Sequence, residues 1–316
     1  MATKVGILGL GAMGGNAAKR LADVGFDLVV YDVRSDVMKS YPTATPATSA
    51  ADLAGKSDVI LAFLPYSKQV EAAALGEGGV IHGARPGAIF VNMSTISPST
   101  TQRIAEGLAA KKIDVIGAPM NGGPHLALAG KLALVVGGKE DVLEKCRPVL
   151  EALGEIRHVG DVGAGEAAKI INNLILAVCI NANAEALVLG VKFGIDPDKL
   201  VDAVINGVGS NHGMRKHYQQ HVLKGDFSEE GLFSVDFMRK DLALALELGD
   251  ELKVPLMFGA MADQMYQAVR AKGRAAKYHP VVVTVLEELA GVEVRSRKPP
   301  GAAAQNSGPV EGWVKG

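Results

Sequence analysis

Cysteine is scarce in this chain. Cys146 and Cys179 are the only two among 316 residues, too few for a disulfide framework, and Cys179 lies inside an apolar helical stretch. A reducing cytosol suits such a sequence. An excess of one charge is also lacking. Thirty-three Lys and Arg stand against 34 Asp and Glu, for a formal net charge of −1. Nothing in that balance draws nucleic acid or an anionic membrane, and neither is expected as a partner. No uninterrupted apolar run reaches the roughly 18 residues of a membrane span. The opening "MATKVGILGLG" runs straight into a strand pattern without a cleavable hydrophobic region. The expectation is a soluble, cytoplasmic protein with no metal.

Apolar residues and glycine are plentiful. Hydrophobic residues make up 48% of the chain and charged residues 21%, enough for a large core. The length suggests roughly two domains. Short apolar runs at 4–9, 26–32, 58–65, 88–94, 112–120, 132–138 and 155–165 alternate with helical patterns over most of the first half. That alternation predicts an α/β domain over 1–163, a Rossmann-type doubly wound, mostly parallel sheet. Amphipathic stretches then take over at 165–193, 197–207, 213–224, 234–251, 256–271 and 279–290. A C-terminal all-α domain is predicted over 164–296. Residues 165–193 form its long inter-domain helix, whose apolar body is expected to be core for both domains. Residues 297–316, rich in Pro, Gly and Ala, read as a tail, in which the lone Trp313 leaves room for docking.

"GLGAMG" (9–14) matches G-x-G-x-x-G between an apolar strand and a helix, the context a dinucleotide site requires. Gly9 permits the tight turn, Gly11 lets backbone approach a pyrophosphate, and Gly14 allows close packing of helix on strand. Asp32 closes the second strand about twenty residues on, where a carboxylate meets the ribose hydroxyls and repels a 2′-phosphate. NAD is favoured. Arg34, two residues later, is a group that greets such a phosphate and keeps NADP in view.

Lys169 stands near the start of the long helix, with Asn173 one turn on and sharing its face. Desolvation on so apolar a helix, and the positive end of the helix dipole, favour loss of the lysine proton. Such a lysine can exchange a proton with a carbonyl or alcohol oxygen. A lysine that snorkels to the helix end is the plainer reading. Asn121, Gly122 and Gly123 can offer successive amides to a carboxylate, or make an ordinary turn. Ser94 and Thr95 end a strand on the ligand-binding edge of an open sheet. Lys240 and Asp241 begin an amphipathic helix that is solvated by default.

In order, "GLGAMG", "FLP", "STISP", "APMNGG", "GAGEAAKIINN" and "KDLALALE" resemble the motifs of the β-hydroxyacid dehydrogenase family. That family embraces 3-hydroxyisobutyrate dehydrogenase and tartronate semialdehyde reductase and is related to 6-phosphogluconate dehydrogenase. The resemblance spans residue 5 to about 250, with weaker similarity to about 290. It implies that Gly9, Leu10, Gly11, Ala12, Met13, Gly14, Asp32, Leu64, Pro65, Gln69 and Thr95 line the cofactor, with Lys240 approaching from the second domain. It implies that Ser94, Thr95, Asn121, Gly122 and Gly123 hold the substrate, the last three at its carboxylate. Lys169 would be the acid/base group, assisted by Asn173. The implied reaction is hydride transfer between nicotinamide and a small 3-hydroxy acid or its semialdehyde, in a homodimer or homotetramer.

The chain departs from the family pattern at Asn121, where serine is common, at Pro124 and His125, and at His279, where relatives often carry aspartate. The stretch "NHGMRKHYQQH" (211–221) is unusually basic. There His212, Arg215 and His217 are candidates for a second anionic group on the substrate, or for a solvated helix start. Two other readings stay open: an NADP-linked imine reductase of the same architecture, and a non-catalytic dinucleotide-binding scaffold.

Overall fold

In the computed structural model, residues 3–229 and 233–297 are described. The tail at 298–316, with Trp313, lies outside them. The chain divides into two compact units: Met1–Asn172 with Asp250–Leu252, and Asn173–Gly249 with the chain from Lys253.

The first unit is built on a nine-stranded sheet. Its strands are β1 (Lys4–Leu8), β2 (Asp27–Tyr31), β3 (Thr45–Pro46), β4 (Val59–Ala62), β5 (Ile89–Asn92), β6 (Asp114–Gly117), β7 (Met120–Asn121), β8 (Leu132–Gly137) and β9 (Gly154–Gly160). Their order is β3-β2-β1-β4-β5-β6-β8-β7, with β9 also paired to β8. β3 through β6 run parallel, and β8 lies antiparallel to β6 and β7. Strands such as "VILA" and "IFVN" are buried throughout, because helices cover both faces of a parallel sheet. This is the Rossmann-type sheet expected from the alternating pattern.

Two details differ from expectation. β3 is only two residues long and leaves no periodic signal. The run 112–120 divides into β6 and β7 around Ala118 and Pro119. Proline has no N–H for the ladder, and its carbonyl instead accepts from the Val135 amide at 2.9 Å.

The second unit is helical. It takes in the long helix Ala164–Phe193 from Asn173 onward, then Pro197–Ile205, Val235–Glu251, Met257–Ala271 and Val283–Ala290. An isolated bridge joins Ser234 to Tyr278. The unit's core gathers Ala177, Ile180, Leu187, Tyr218, Met238, Leu242, Tyr266 and Val282. Asp196 caps Pro197–Ile205, accepting from the Asp198 and Lys199 amides, with proline at the first helical position. The stretch 213–224, expected as one helix, is a π-helical turn over Gly213–Tyr218 followed by a short 3₁₀ turn at Val222–Lys224. The long helix is not wholly core either. Ile175, Leu189 and Phe193 point outward, Phe193 at 85% exposure.

Candidate active site

The glycine turn is built as its motif requires. Gly9 has φ of +89°, and a Cβ there would sit 2.4 Å from the Phe63 carbonyl oxygen. A Cβ on Gly14 would lie 2.0 Å from the Gly9 oxygen, so only glycine lets the helix Ala12–Asp23 meet the strand end. Gly11 faces open space and caps that helix without a side-chain hydrogen bond. The leading amides of the helix are thus presented to an anion.

Asp32 closes this turn. One carboxylate oxygen accepts from the Leu10 amide at 2.8 Å. The other accepts from the Arg34 amide at 3.0 Å and its guanidinium at 3.2 Å. Burial pushes the carboxyl upward, but the Arg34 and Leu10 hydrogen bonds outweigh it and hold Asp32 below its ordinary value. A charged carboxylate therefore sits beside an open glycine loop, and these residues fit a dinucleotide.

Leu64 and Pro65 follow β4. The Leu64 amide donates to Ser94 Oγ at 2.8 Å, and Ser94 Oγ donates to the Ala62 carbonyl at 3.1 Å. Ser94 is buried, and this bonding braces the turn that carries Leu64. Thr95 beside it is half-buried, and Gln69 is exposed on the helix Ser67–Leu75.

Lys169 reaches from the first turns of the long helix to β7. Its Nζ donates to Asn121 Oδ1 at 2.7 Å. Asn172 Nδ2 approaches the same oxygen at 3.4 Å, a contact the sequence reading missed. Asn121 is fixed by antiparallel pairing with Ala133, and Gly122 follows with φ of +124° into the helix Pro124–Ala129. Lys169, Asn121 and the Gly122–Gly123 turn thus form one group in the first unit. Where relatives are expected to carry a hydroxyl, this chain presents an amide whose oxygen takes the lysine proton donor.

In the second unit, Asn173 is buried and donates through Nδ2 to Asp241. Lys240 Nζ lies 3.0 Å from Asp241 Oδ1. Lys240 and Asp241 are largely buried, not the solvated pair expected by default. His212 and Arg215 are exposed, but His217 is half-buried. It bonds to Tyr278 through Nδ1, and its ring centroid lies 5.1 Å from that of His279. Burial, aided by His212 and His221, pushes His217 down to about 4, and burial with His217 and His221 pushes His279 well below its ordinary value. Neither expectation for His217, a solvated helix start or a cation for an anionic substrate, matches this neutral, packed ring. Among the described residues, no group of His, Cys, Asp and Glu is arranged to hold a metal.

Residues 4–163 match the NAD-binding domain of 6-phosphogluconate dehydrogenase, and residues 163–286 match the NAD-binding domain of NADP-dependent 3-hydroxyisobutyrate dehydrogenase. The chain is 40% identical to 2-(hydroxymethyl)glutarate dehydrogenase of Eubacterium barkeri, over 92% of this chain and 97% of that one. It is 33% identical to mitochondrial 3-hydroxyisobutyrate dehydrogenase of Mus musculus, over 90% and 88%. The solved 3-hydroxyisobutyrate dehydrogenase of Mycobacterium tuberculosis with L-serine superimposes with a TM-score of 0.84 at 30% identity, over 90% of this chain and 99% of that one. Glycine turn, strand order, helical second unit and similarity over about nine-tenths of the chain agree: the chain belongs to the β-hydroxyacid dehydrogenase family, an NAD(P)-linked oxidoreductase family acting on CH–OH groups.

Proposed function

We propose that this protein oxidises a small 3-hydroxy acid to its semialdehyde, or runs the reverse reduction, with NAD as the preferred cofactor. The observation that carries this reading is the 2.7 Å bond from Lys169 Nζ to Asn121 Oδ1. It sets a proton-transfer group beside a turn suited to a carboxylate. When bound, the nicotinamide supplies a hydride acceptor at carbon and returns the hydride in reduction. The protein's residues do the rest. Gly9–Gly14 and the helix start would hold the pyrophosphate, Asp32 would meet the ribose hydroxyls, and Leu64, Pro65, Gln69 and Thr95 would line the cofactor. Lys240 approaches the cofactor from its own helix. The amides of Asn121, Gly122 and Gly123 orient the substrate carboxylate. Lys169 accepts the hydroxyl proton as the C–H electron pair leaves, so a C=O bond forms as O–H and C–H bonds break. In reduction Lys169 gives that proton back. Asn173, anchored by Asp241, keeps the assisting role that the family resemblance gives it, and Ser94 backs the site through the Leu64 turn.

The charged Asp32 supports NAD over NADP, because a carboxylate there repels a 2′-phosphate. The open apolar face formed by Met257, Phe258 and Met261, exposed at 72%, 74% and 64%, supports a homodimer or homotetramer. Cytoplasmic residence is proposed from the scarcity of cysteine.

The test is an initial-rate screen with NAD and NADP over 3-hydroxyisobutyrate, L-threonate, 2-(hydroxymethyl)glutarate and a cyclic imine, run beside Lys169→Ala. The unsubstituted protein turns over at least one hydroxy acid, faster with NAD. Lys169→Ala lowers kcat by at least about 1,000-fold while still binding NADH. Turnover by Lys169→Ala near the original rate would falsify the role of the lysine. Turnover of the imine alone would favour the imine-reductase reading.

A further inference from the structure

Glu166 lies three residues before Lys169 on the same helix and is fully buried. A carboxyl in such a place is costly unless its partners compensate. Its Oε1 accepts from Asn92 Nδ2 and from Thr101 Oγ1, each at 2.8 Å. Asn92 ends β5 and Thr101 lies on the helix Pro98–Ala109. The chain of bonds runs on. Asn92 Nδ2 also donates to the Ser94 carbonyl at 3.1 Å, and Asn92 Oδ1 accepts from the Ser94 amide at 3.0 Å. Ser94 Oγ in turn holds the Leu64 amide. One buried series therefore links the first turn of the Lys169 helix to the turn that carries Leu64 and Pro65.

The backbone makes room for it. A Cβ on Gly117 of β6 would lie 2.1 and 2.2 Å from the two Glu166 oxygens. A Cβ on Gly165 would lie 2.6 Å from the Val135 carbonyl and 2.9 Å from that of Gly117. The first helical turn thus rests directly on β6 and β8, with glycine on both sides of the contact and Glu166 filling the space above Gly117. Glu166 Oε2 has no hydrogen-bond partner among the described residues. Burial raises the carboxyl above its ordinary value, which favours the uncharged acid. A plain apolar side chain would fill this space without the cost of burying a carboxyl, yet it would leave Asn92 and Thr101 without their acceptor.

We propose that Glu166 is a positioning residue for the dehydrogenase reaction: hydrogen-bonded to Asn92 and Thr101, it fixes the rotation and height of the first helical turn, and so sets Lys169 Nζ against Asn121. It touches neither substrate nor cofactor. The proposal rests on Lys169 being the proton-transfer group. A turn that slips by about 1 Å misplaces that group enough to cost about 100-fold in rate.

The test compares Glu166→Leu and Glu166→Gln in the full chain, reading kcat, the KM of the hydroxy acid, NADH affinity by fluorescence, thermal stability, and the primary isotope effect on kcat with carbon-deuterated substrate. Glu166→Leu, still folded, loses about 10- to 100-fold in kcat. Its KM and NADH affinity stay within about threefold, and the isotope effect on kcat rises because chemistry becomes the slow step. Glu166→Gln keeps an acceptor for Asn92 and Thr101 and restores kcat to within about threefold of the original. If Glu166→Leu does not fold, Thr101→Val carries the test. It removes one donor with little change of shape, and a several-fold lower kcat with a raised isotope effect is expected. Three results would overturn the proposal: kcat unchanged in Glu166→Leu (or in Thr101→Val where that variant is needed), a loss shared by KM and NADH affinity with an unmoved isotope effect, or a loss in Glu166→Gln equal to that in Glu166→Leu. Lys169→Ala, assayed alongside, separates the two ideas. If it stays active the lysine role fails, and if it is inactive while Glu166→Leu is not, only the positioning role fails.

Discussion

Two buried polar clusters in this molecule are built on opposite terms. In the sheet unit, Asn92, Ser94, Thr101 and Glu166 form a bonded series in which Glu166 Oε2 lacks a partner among the described residues. In the helical unit, His217 and His279 pack against Tyr278 and Tyr266, and each ring leaves Nε2 buried without a partner among the described residues. The difference follows from the backbone. A strand that ends inside a sheet exposes amides and carbonyls that side chains can meet. Helical backbone satisfies itself and leaves few groups to offer a buried ring. The first cluster is therefore ordered by hydrogen bonds. The second is held neutral by exclusion of water.

The largest effect that would sharpen this contrast is on stability against pH. The unfolded chain protonates its histidines near the ordinary value of 6.5, while the folded chain holds His217 uncharged down to about 4. Between those values the unfolded state binds more protons, so stability falls as pH falls from 6.5 towards 4. His217 alone contributes a loss of about 3 kcal/mol across that window. Urea unfolding followed at a series of pH values should show this slope, and His217→Phe should make it shallower, leaving the share that buried His279 contributes. An equally steep slope in the variant breaks the contrast.

Next in size is a change at the site of the sheet unit. Asn121→Leu removes the acceptor of the Lys169 proton donor, and kcat/KM should fall about 100-fold while the melting temperature moves little. A rate within a few-fold of the original would mean that the bond at β7 has no part in catalysis. The smallest effect concerns the outer face of the helical unit. Phe258→Ser should lower the assembly state seen in sedimentation at micromolar concentration, with unchanged unfolding of each chain. A monomeric unsubstituted protein would remove that face from consideration.

Legibility in the sequence followed the range of each interaction. The glycine turn and Asp32 belong to one βαβ unit, so local pattern is enough to find them, although the bond from the Leu10 amide that makes Asp32 part of the turn is not legible there. The long helix was visible from composition, and Lys169 from its oddity there. Asn172 and Glu166 carry no signal of their roles in the sequence, because their partners lie 51 and 74 residues away. β7 was hidden by Pro119, which divides what reads as one apolar run. The burial of His217 is hidden in the sequence for a related reason. A run of basic residues signals solvent exposure, and only the packing of 211–221 against Tyr278 and His279 reverses that for His217. Asn121 was singled out as a departure, but that its oxygen faces Lys169 depends on β7 pairing with β8.

Asp32 carries a consequence for how this enzyme can change. The carboxylate proposed to choose between the two dinucleotides also ties down the Leu10 amide inside the glycine turn. Selectivity and loop architecture share one side chain. A lineage drifting towards NADP could not discard Asp32 without loosening the turn that any dinucleotide needs. Its easier path leads through Arg34, which is exposed and answers to nothing in the turn but Asp32 itself.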